Sequence, residues 1–276
     1  MDQIKPELKL HTVTVSPSLI LDKTKEHAAP YIKQFFIGIC IIYVIMGCVP
    51  EYLGLIFPHT YVDVIAQFVH IDETLRTQLP SEPAVIYLYA LLMNGVIKLG
   101  EALYVLTFIR NRQVEYSSIF EGFQYYFKAL LLFLVQVFII AIWSMCFVIP
   151  GVLAALNFSQ SFFIFADNPD KKIFEILAES KLRMFGNRMA YFKLILVYIP
   201  YLLSGYLPLA IVGLFFNVDV SSFLGLTIVL IAQIAFFCMR GYMALGMGTF
   251  YELLLNGDFK DFRYSGQDIF RNAIIQ

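Results

Sequence analysis

Lys98 and Glu101 stand three residues apart in an otherwise apolar run, and Arg240 stands in another. On a helix the first two share a face and can pair, and an arginine on a neighbouring helix can reach Glu101 across the interface. Ionisable groups held at membrane depth are candidates for function by default, as ion relays or substrate counter-charges. The plainer reading is that they neutralise one another, fix helix register or snorkel to an interface. The sharpest expectation is a cross-helix pair of Arg240 with Glu101. Glu252 is a further carboxylate on the arginine's own run.

A second group lies in the run LNFSQSFFIF, where Asn157, Ser159, Gln160 and Ser161 crowd into a short apolar segment, with Asn94 and Gln136 on other runs able to face them. Such groups bond across helices in lipid for about 1 kcal/mol each, or they line a wet cavity. Catalytic signatures are missing: the chain has no HExxH, GxSxG, GxxxxGK[ST] or CxxC. Cys40, Cys48, Cys146 and Cys238 fall in apolar runs and read as small hydrophobic filler. His70 and Glu73 could share a metal, although such a pair more often faces solvent. No catalytic residue, metal ligand or cofactor is therefore assigned.

These groups must be carried by helices in lipid. The 276 residues are 59% hydrophobic and 15% charged, against about 45–50% and 25% in ordinary globular chains. The expected fold is all-α, a polytopic membrane helix bundle with spans near 31–57, 84–109, 125–149, 152–166, 189–216 and 222–255. Residues 1–30 read as an extended tail without assigned fold, 31–256 as the membrane domain and 257–276 as a second tail. The first span should end near Pro50, and Pro150-Gly151 should form the tight turn between the third and fourth spans. Residues 59–79 carry an amphipathic pattern for a helix on the outer surface.

Orientation follows from the basic residues. The outer side would hold Arg76 alone, whereas the other connections and both tails hold all remaining Lys and Arg outside the spans. Both termini are thus expected on the cytoplasmic side of a plasma membrane. The net charge of -1, with basic residues dispersed, excludes a nucleic-acid partner.

The stretch ADNPDKK ends the fourth span abruptly. Asp167, Asn168, Pro169 and Asp170 read as cap and hinge, with Asn168 the N-cap and Pro169 the first residue of a basic amphipathic helix. That helix would show Ile173, Ile176, Leu177 and Met184 on its apolar face and end at Gly186 in the left-handed conformation. Its Lys171, Lys172, Lys181, Arg183 and the following Arg188 are candidates for lipid headgroups, at about 1 kcal/mol per near-surface charge.

Backbone interruptions occur in the second run (Gly95, Gly100) and the fifth (Pro200, Gly205, Pro208, Gly213). Paired broken helices point to transporter sites, although proline and glycine are common in membrane helices anyway. In the sixth run Gly241, Ala244, Gly246 and Gly248 permit close packing, within the chain or in a homodimer.

The segments FEGFQYYFKALLLFLVQVF, WSMCFVIPG, ADNPD and ESKLRMFGNR follow in order between Phe120 and Arg188, with FYELL near the end. Together they resemble a bacterial integral-membrane family, common in Gram-positive organisms, designated domain of unknown function 975. Its most specific parts here are Ile149-Pro150-Gly151, the Asp167-to-Asp170 box and Met184 to Arg188; Phe185 departs from the small or basic residue expected there. The resemblance implies a six-helix membrane domain and supplies no activity or catalytic residue. The expected function is a non-enzymatic envelope protein that scaffolds, regulates or protects another membrane component. A small-solute, lipid or peptide transporter is the alternative, and an intramembrane lipid-modifying enzyme the third reading. Expected partners are membrane lipids, another membrane protein or a second copy.

Overall fold

The computed structural model describes residues 10–60, 82–216 and 221–257. It is an all-α bundle, and among the described residues the only β pairing is one isolated bridge, Thr60 to Pro83. In chain order the helices are α1 (Pro17–Ala28), α2 (Ile32–Tyr43), α3 (Val49–Ile56), α4 (Ala84–Asn111), α5 (Ser117–Glu121), α6 (Tyr126–Cys146), α7 (Val148–Phe158), α8 (Ser161–Asp167), α9 (Ile173–Met184), α10 (Arg188–Gly205), α11 (Leu207–Phe215) and α12 (Phe223–Asn256). They combine into 6 stretches long and apolar enough to cross a membrane: Ala29–Ile56, Ala84–Asn111, Ser117–Cys146, Val148–Asp167, Arg188–Phe215 and Phe223–Asn256. The amphipathic pattern at 59–79 falls largely outside the described residues, as do His70 and Glu73.

α4 is the axis of the bundle. It buries residues on every side from Gly95 to Ile109, as a helix surrounded by others must. Small residues let its neighbours approach: a Cβ on Gly95 would meet the backbone of Ala129 and Leu130, and one on Gly100 the carbonyl of Ile119. Phe35 of α2 stacks on Tyr104 at 5.3 Å between centroids, and the Tyr104 hydroxyl donates to the Phe35 carbonyl at 2.9 Å. A second core joins α1, α10 and α12 around Tyr191, Leu194, Tyr198, Phe250 and Leu254.

Three boundaries differ from the sequence reading. The reversal between the third and fourth spans is made by Phe147, whose extended backbone (φ -163°, ψ 155°) separates α6 from α7. Pro150 and Gly151 lie inside the first turn of α7 instead. Pro150 is tolerated there because a first-turn amide has no intrahelical acceptor, and Gly151 lets the hairpin close against Ser144. The first span does not stop at Pro50: a π turn at Val44–Cys48 precedes it and the helix continues to Ile56. The wider turn accommodates the missing proline amide.

The third difference is the N-terminal segment, which is not an unstructured tail. The Ser16 hydroxyl caps α1 by accepting from Leu19 N–H at 3.3 Å, and Pro17 opens the helix. Ile20, Leu21, Thr24 and Ala28 are buried against α10 and α12. Asn187 fastens the approach to α1 by accepting from Val13 N–H (2.8 Å) and donating to the carbonyl of His11 (2.9 Å). A polar composition hid this helix, since only one stripe of it is apolar.

The α6–α7 hairpin presents Phe127, Met145, Phe147, Val148 and Ile149 outward, each at least 74% exposed. Such an apolar exterior would aggregate in water and suits hydrocarbon.

Candidate functional site

Three spans end at the same face. α4 closes with Arg110 and Asn111 and turns at Arg112 in the left-handed region (φ 52°), α8 ends at Asp167, and the last turns of α12 carry Tyr251, Glu252 and Asn256. Helix C-termini concentrate partial negative charge, and here two carboxylates are added to it. Arg110 answers this charge. Its Nη1 and Nη2 donate to Asp167 Oδ1 (2.6 Å) and Oδ2 (3.0 Å), the two-pronged geometry of a strong guanidinium–carboxylate pair. Its Nε donates to Glu252 Oε1 at 2.6 Å.

The remaining acceptor positions are also filled. The Tyr251 hydroxyl donates to Asp167 Oδ2 at 2.7 Å, and Asn256 Nδ2 donates to Glu252 Oε2 at 3.2 Å. The side chains of Arg110, Asp167 and Glu252 are only 25%, 14% and 7% exposed. The cluster therefore ties the second, fourth and sixth spans at one point. Its one hydroxyl beside a carboxylate, Tyr251 on Asp167, belongs to a residue only 1% exposed. The sequence does not reveal it, because a basic residue and a capping aspartate at separate helix ends each have an ordinary local explanation. Only the register of α4, α8 and α12 brings them together.

The expected intramembrane group is deeper. Arg240 Nη2 lies 3.3 Å from Glu101 Oε2, about 13 Å along α4 from Arg110. Lys98 does not pair with Glu101; its ammonium sits over the rings of Phe133 (5.1 Å) and Phe162 (5.9 Å), where the quadrupole of the ring stabilises it. Glu252, weighed above beside Arg240, belongs instead to Arg110.

The polar fourth span is broken between α7 and α8 at Ser159 and Gln160. Its hydroxyls cap the α7 end, Ser159 Oγ donating to the Leu156 carbonyl (2.9 Å) and Ser161 Oγ to that of Phe158 (2.8 Å). Two bonds cross between helices: Gln136 Nε2 to the Phe158 carbonyl (3.1 Å) and Ser180 Oγ to the Asn157 carbonyl (2.7 Å). Asn94 is not part of the group, since its amide donates to Ala90 on its own helix. The side-chain oxygens of Gln136, Asn157 and Gln160 are buried without a donor.

ADNPDKK works differently from its sequence reading. Asn168 terminates α8, and the chain turns through Pro169 and the exposed Asp170 before α9 starts at Ile173. Asn168 is thus not the N-cap and Pro169 not the first helical residue. The cap is Lys172, whose backbone N–H is met by the Glu175 carboxylate at 3.1 Å. The turn is drawn inward by Lys128, whose ammonium donates to the Pro169 carbonyl. The expected stripe holds, with Ile176, Leu177 and Met184 buried, and Gly186 follows the helix at φ 84°.

The headgroup set divides. Lys171 Nζ and Arg183 Nη2 both close on Glu179, at 2.7 and 2.8 Å, and Arg183 is buried. These two are accordingly structural and not free for headgroups. Burial alone would raise the Glu179 carboxyl, but hydrogen bonds from Lys171 and Arg183 outweigh it and hold its pKa below the usual value. Lys172 and Lys181 remain exposed, while Arg188 is half-buried against the Phe185 ring.

The small residues of α12 serve the chain's own packing. Gly241 receives Ile39, Gly246 the Tyr198 ring, Gly248 Val105 and Ile109, and Ala244 packs on the main core. A homodimer through Gly241, Ala244 and Gly248 would have to displace α2 and α4. Among the described residues no group of three His, Cys, Asp or Glu side chains could hold a metal. The chain matches no family model, no curated protein and no solved structure.

Proposed function

We propose that this chain is a non-enzymatic, multi-pass protein of a bacterial plasma membrane, with both termini cytoplasmic, that scaffolds, regulates or protects another membrane component. The observation that carries the reading is that its charges at the span ends and at span depth bridge neighbouring helices. Arg110, Asp167 and Glu252 satisfy one another where three spans end, and Arg240 meets Glu101. Groups that translocate a solute or activate a substrate need an open face, and these have been spent on joining helices. The excess of Lys and Arg on one set of connections supports the orientation, and the resemblance of the ordered motifs to the domain of unknown function 975 family is the ground for the bacterial setting.

Cross-linking in intact membranes followed by gentle solubilisation tests the reading. A partner in fixed stoichiometry is expected to co-purify. A chain that purifies alone and catalyses saturable solute exchange would overturn it. The transporter reading is favoured by one observation, the helix break at Ser159 and Gln160 with three buried amide oxygens around it that lack donors. Broken helices with free oxygen ligands are a form that cation sites take in transporters.

A further inference from the structure

A groove of about 250 Å³ separates α1 and α2 from α10 and α12, lined chiefly by Lys25, Ile32, Phe36, Tyr201, Met239 and Tyr242. Its size lies below the roughly 300–1,000 Å³ of sites that enclose a whole small molecule. Most of its wall is apolar, but one end is not. The Lys25 ammonium donates to the Tyr201 hydroxyl at 2.9 Å and lies 5.3 Å from that ring's centroid. Among the described residues Lys25 is in no ion pair, while nearby Lys23 closes on Glu26 at 2.7 Å.

A second, independent feature sits in the same wall. The Tyr242 hydroxyl is buried and has no hydrogen-bond partner, and the residue is 7% exposed. A buried hydroxyl without a partner is costly and calls for one. Asp22, one turn earlier on α1, acts on both Lys25 and Tyr242 through space without closing an ion pair, so the groove combines a cation outside any ion pair, an unused phenol and an apolar channel. Along α12 Tyr242 lies one turn nearer than Met239 to Glu252, so the polar end of the groove lies toward the face where Arg110 and Asp167 meet. Near a membrane surface an unpaired ammonium attracts anionic headgroups, and phosphate oxygens accept strong charge-assisted bonds.

We propose that this groove binds one anionic phospholipid, its phosphate on Lys25 and Tyr242 and part of an acyl chain along Ile32, Phe36 and Met239. The lipid then joins α1 to the spans it rests on. The site does not depend on the scaffolding function proposed above.

Native mass spectrometry of the full chain in neutral detergent, titrated with phosphatidylglycerol or chain-matched phosphatidylcholine, tests it. One phosphatidylglycerol per monomer is expected, favoured over phosphatidylcholine by about tenfold. Lys25→Gln should weaken phosphatidylglycerol by about tenfold, as one lost bond to a charged group implies, and narrow its preference over phosphatidylcholine. Lys25→Arg should retain binding, Tyr242→Phe should lose a few-fold, and Lys172→Gln, at the exposed cap of α9, should change nothing. The proposal is overturned if Lys25→Gln binds like wild type, if the two lipids bind alike, if inorganic phosphate displaces the lipid, or if the groove is covered by a second copy in a lipid-free dimer.

Discussion

Replacing Arg110 by glutamine should be among the most damaging single substitutions in the bundle. The change removes three hydrogen bonds, two to Asp167 and one to Glu252. It leaves two carboxylates, 14% and 7% exposed, beside three helix C-termini with no guanidinium between them. Removing one partner of a buried pair typically costs about 3–5 kcal/mol, and here one cation serves two anions, so the upper half of that range applies. The reasoning also fixes what repairs the damage. Adding Asp167→Asn and Glu252→Gln removes the stranded charges while keeping shape, and the triple variant should recover more than half of the loss. Equilibrium unfolding in mixed detergent micelles, read by far-ultraviolet circular dichroism, compares wild type with the single and triple variants. A loss below about 1 kcal/mol in Arg110→Gln, or a triple variant less stable than the single, would refute the account.

Three other outcomes follow from neighbouring geometry. Glu101→Gln strands Arg240 and should destabilise more than the double change Glu101→Gln with Arg240→Gln, whereas independent effects in the cycle would dissolve the pair. Glu179 has its pKa lowered on folding, so it contributes stability above its unfolded value near 4.3 that is lost as pH falls through the lower folded value; Glu179→Gln should flatten the stability profile in that acidic window, and an unchanged profile would contradict it. Gly100→Ala must push against the Ile119 carbonyl and should cost about 1–3 kcal/mol, while Gly213→Ala, which meets nothing within 4 Å, should be neutral or slightly stabilising in the same unfolding assay.

The six apolar stretches were legible in sequence because hydrocarbon thickness dictates their length and composition. The Glu101–Arg240 contact was accessible for a related reason, since few charges at membrane depth leave few possible partners. Other features depended on tertiary register. Arg110, Asp167 and Glu252 are far apart in sequence and each has an ordinary explanation at a helix end. α1 was hidden by its polar composition, although Ser16 followed by Pro17 is a helix start that could have been weighed. Asn168 and Pro169 carried a sound capping pattern, but the pull of Lys128 on the Pro169 carbonyl and the capacity of Glu175 to meet Lys172 N–H placed the start four residues later. Pro150 suggests a turn because proline breaks helices, yet a first-turn proline starts one as readily.

The central claim is that the charges inside the spans hold helices together and do not move solutes. Counter-flow of labelled ions, amino acids and small peptides into proteoliposomes tests this most directly. The account predicts uptake no greater than in protein-free vesicles, for wild type and for Glu101→Gln alike. Saturable uptake by wild type that disappears in Glu101→Gln or Glu252→Gln, with both variants still folded, would contradict it.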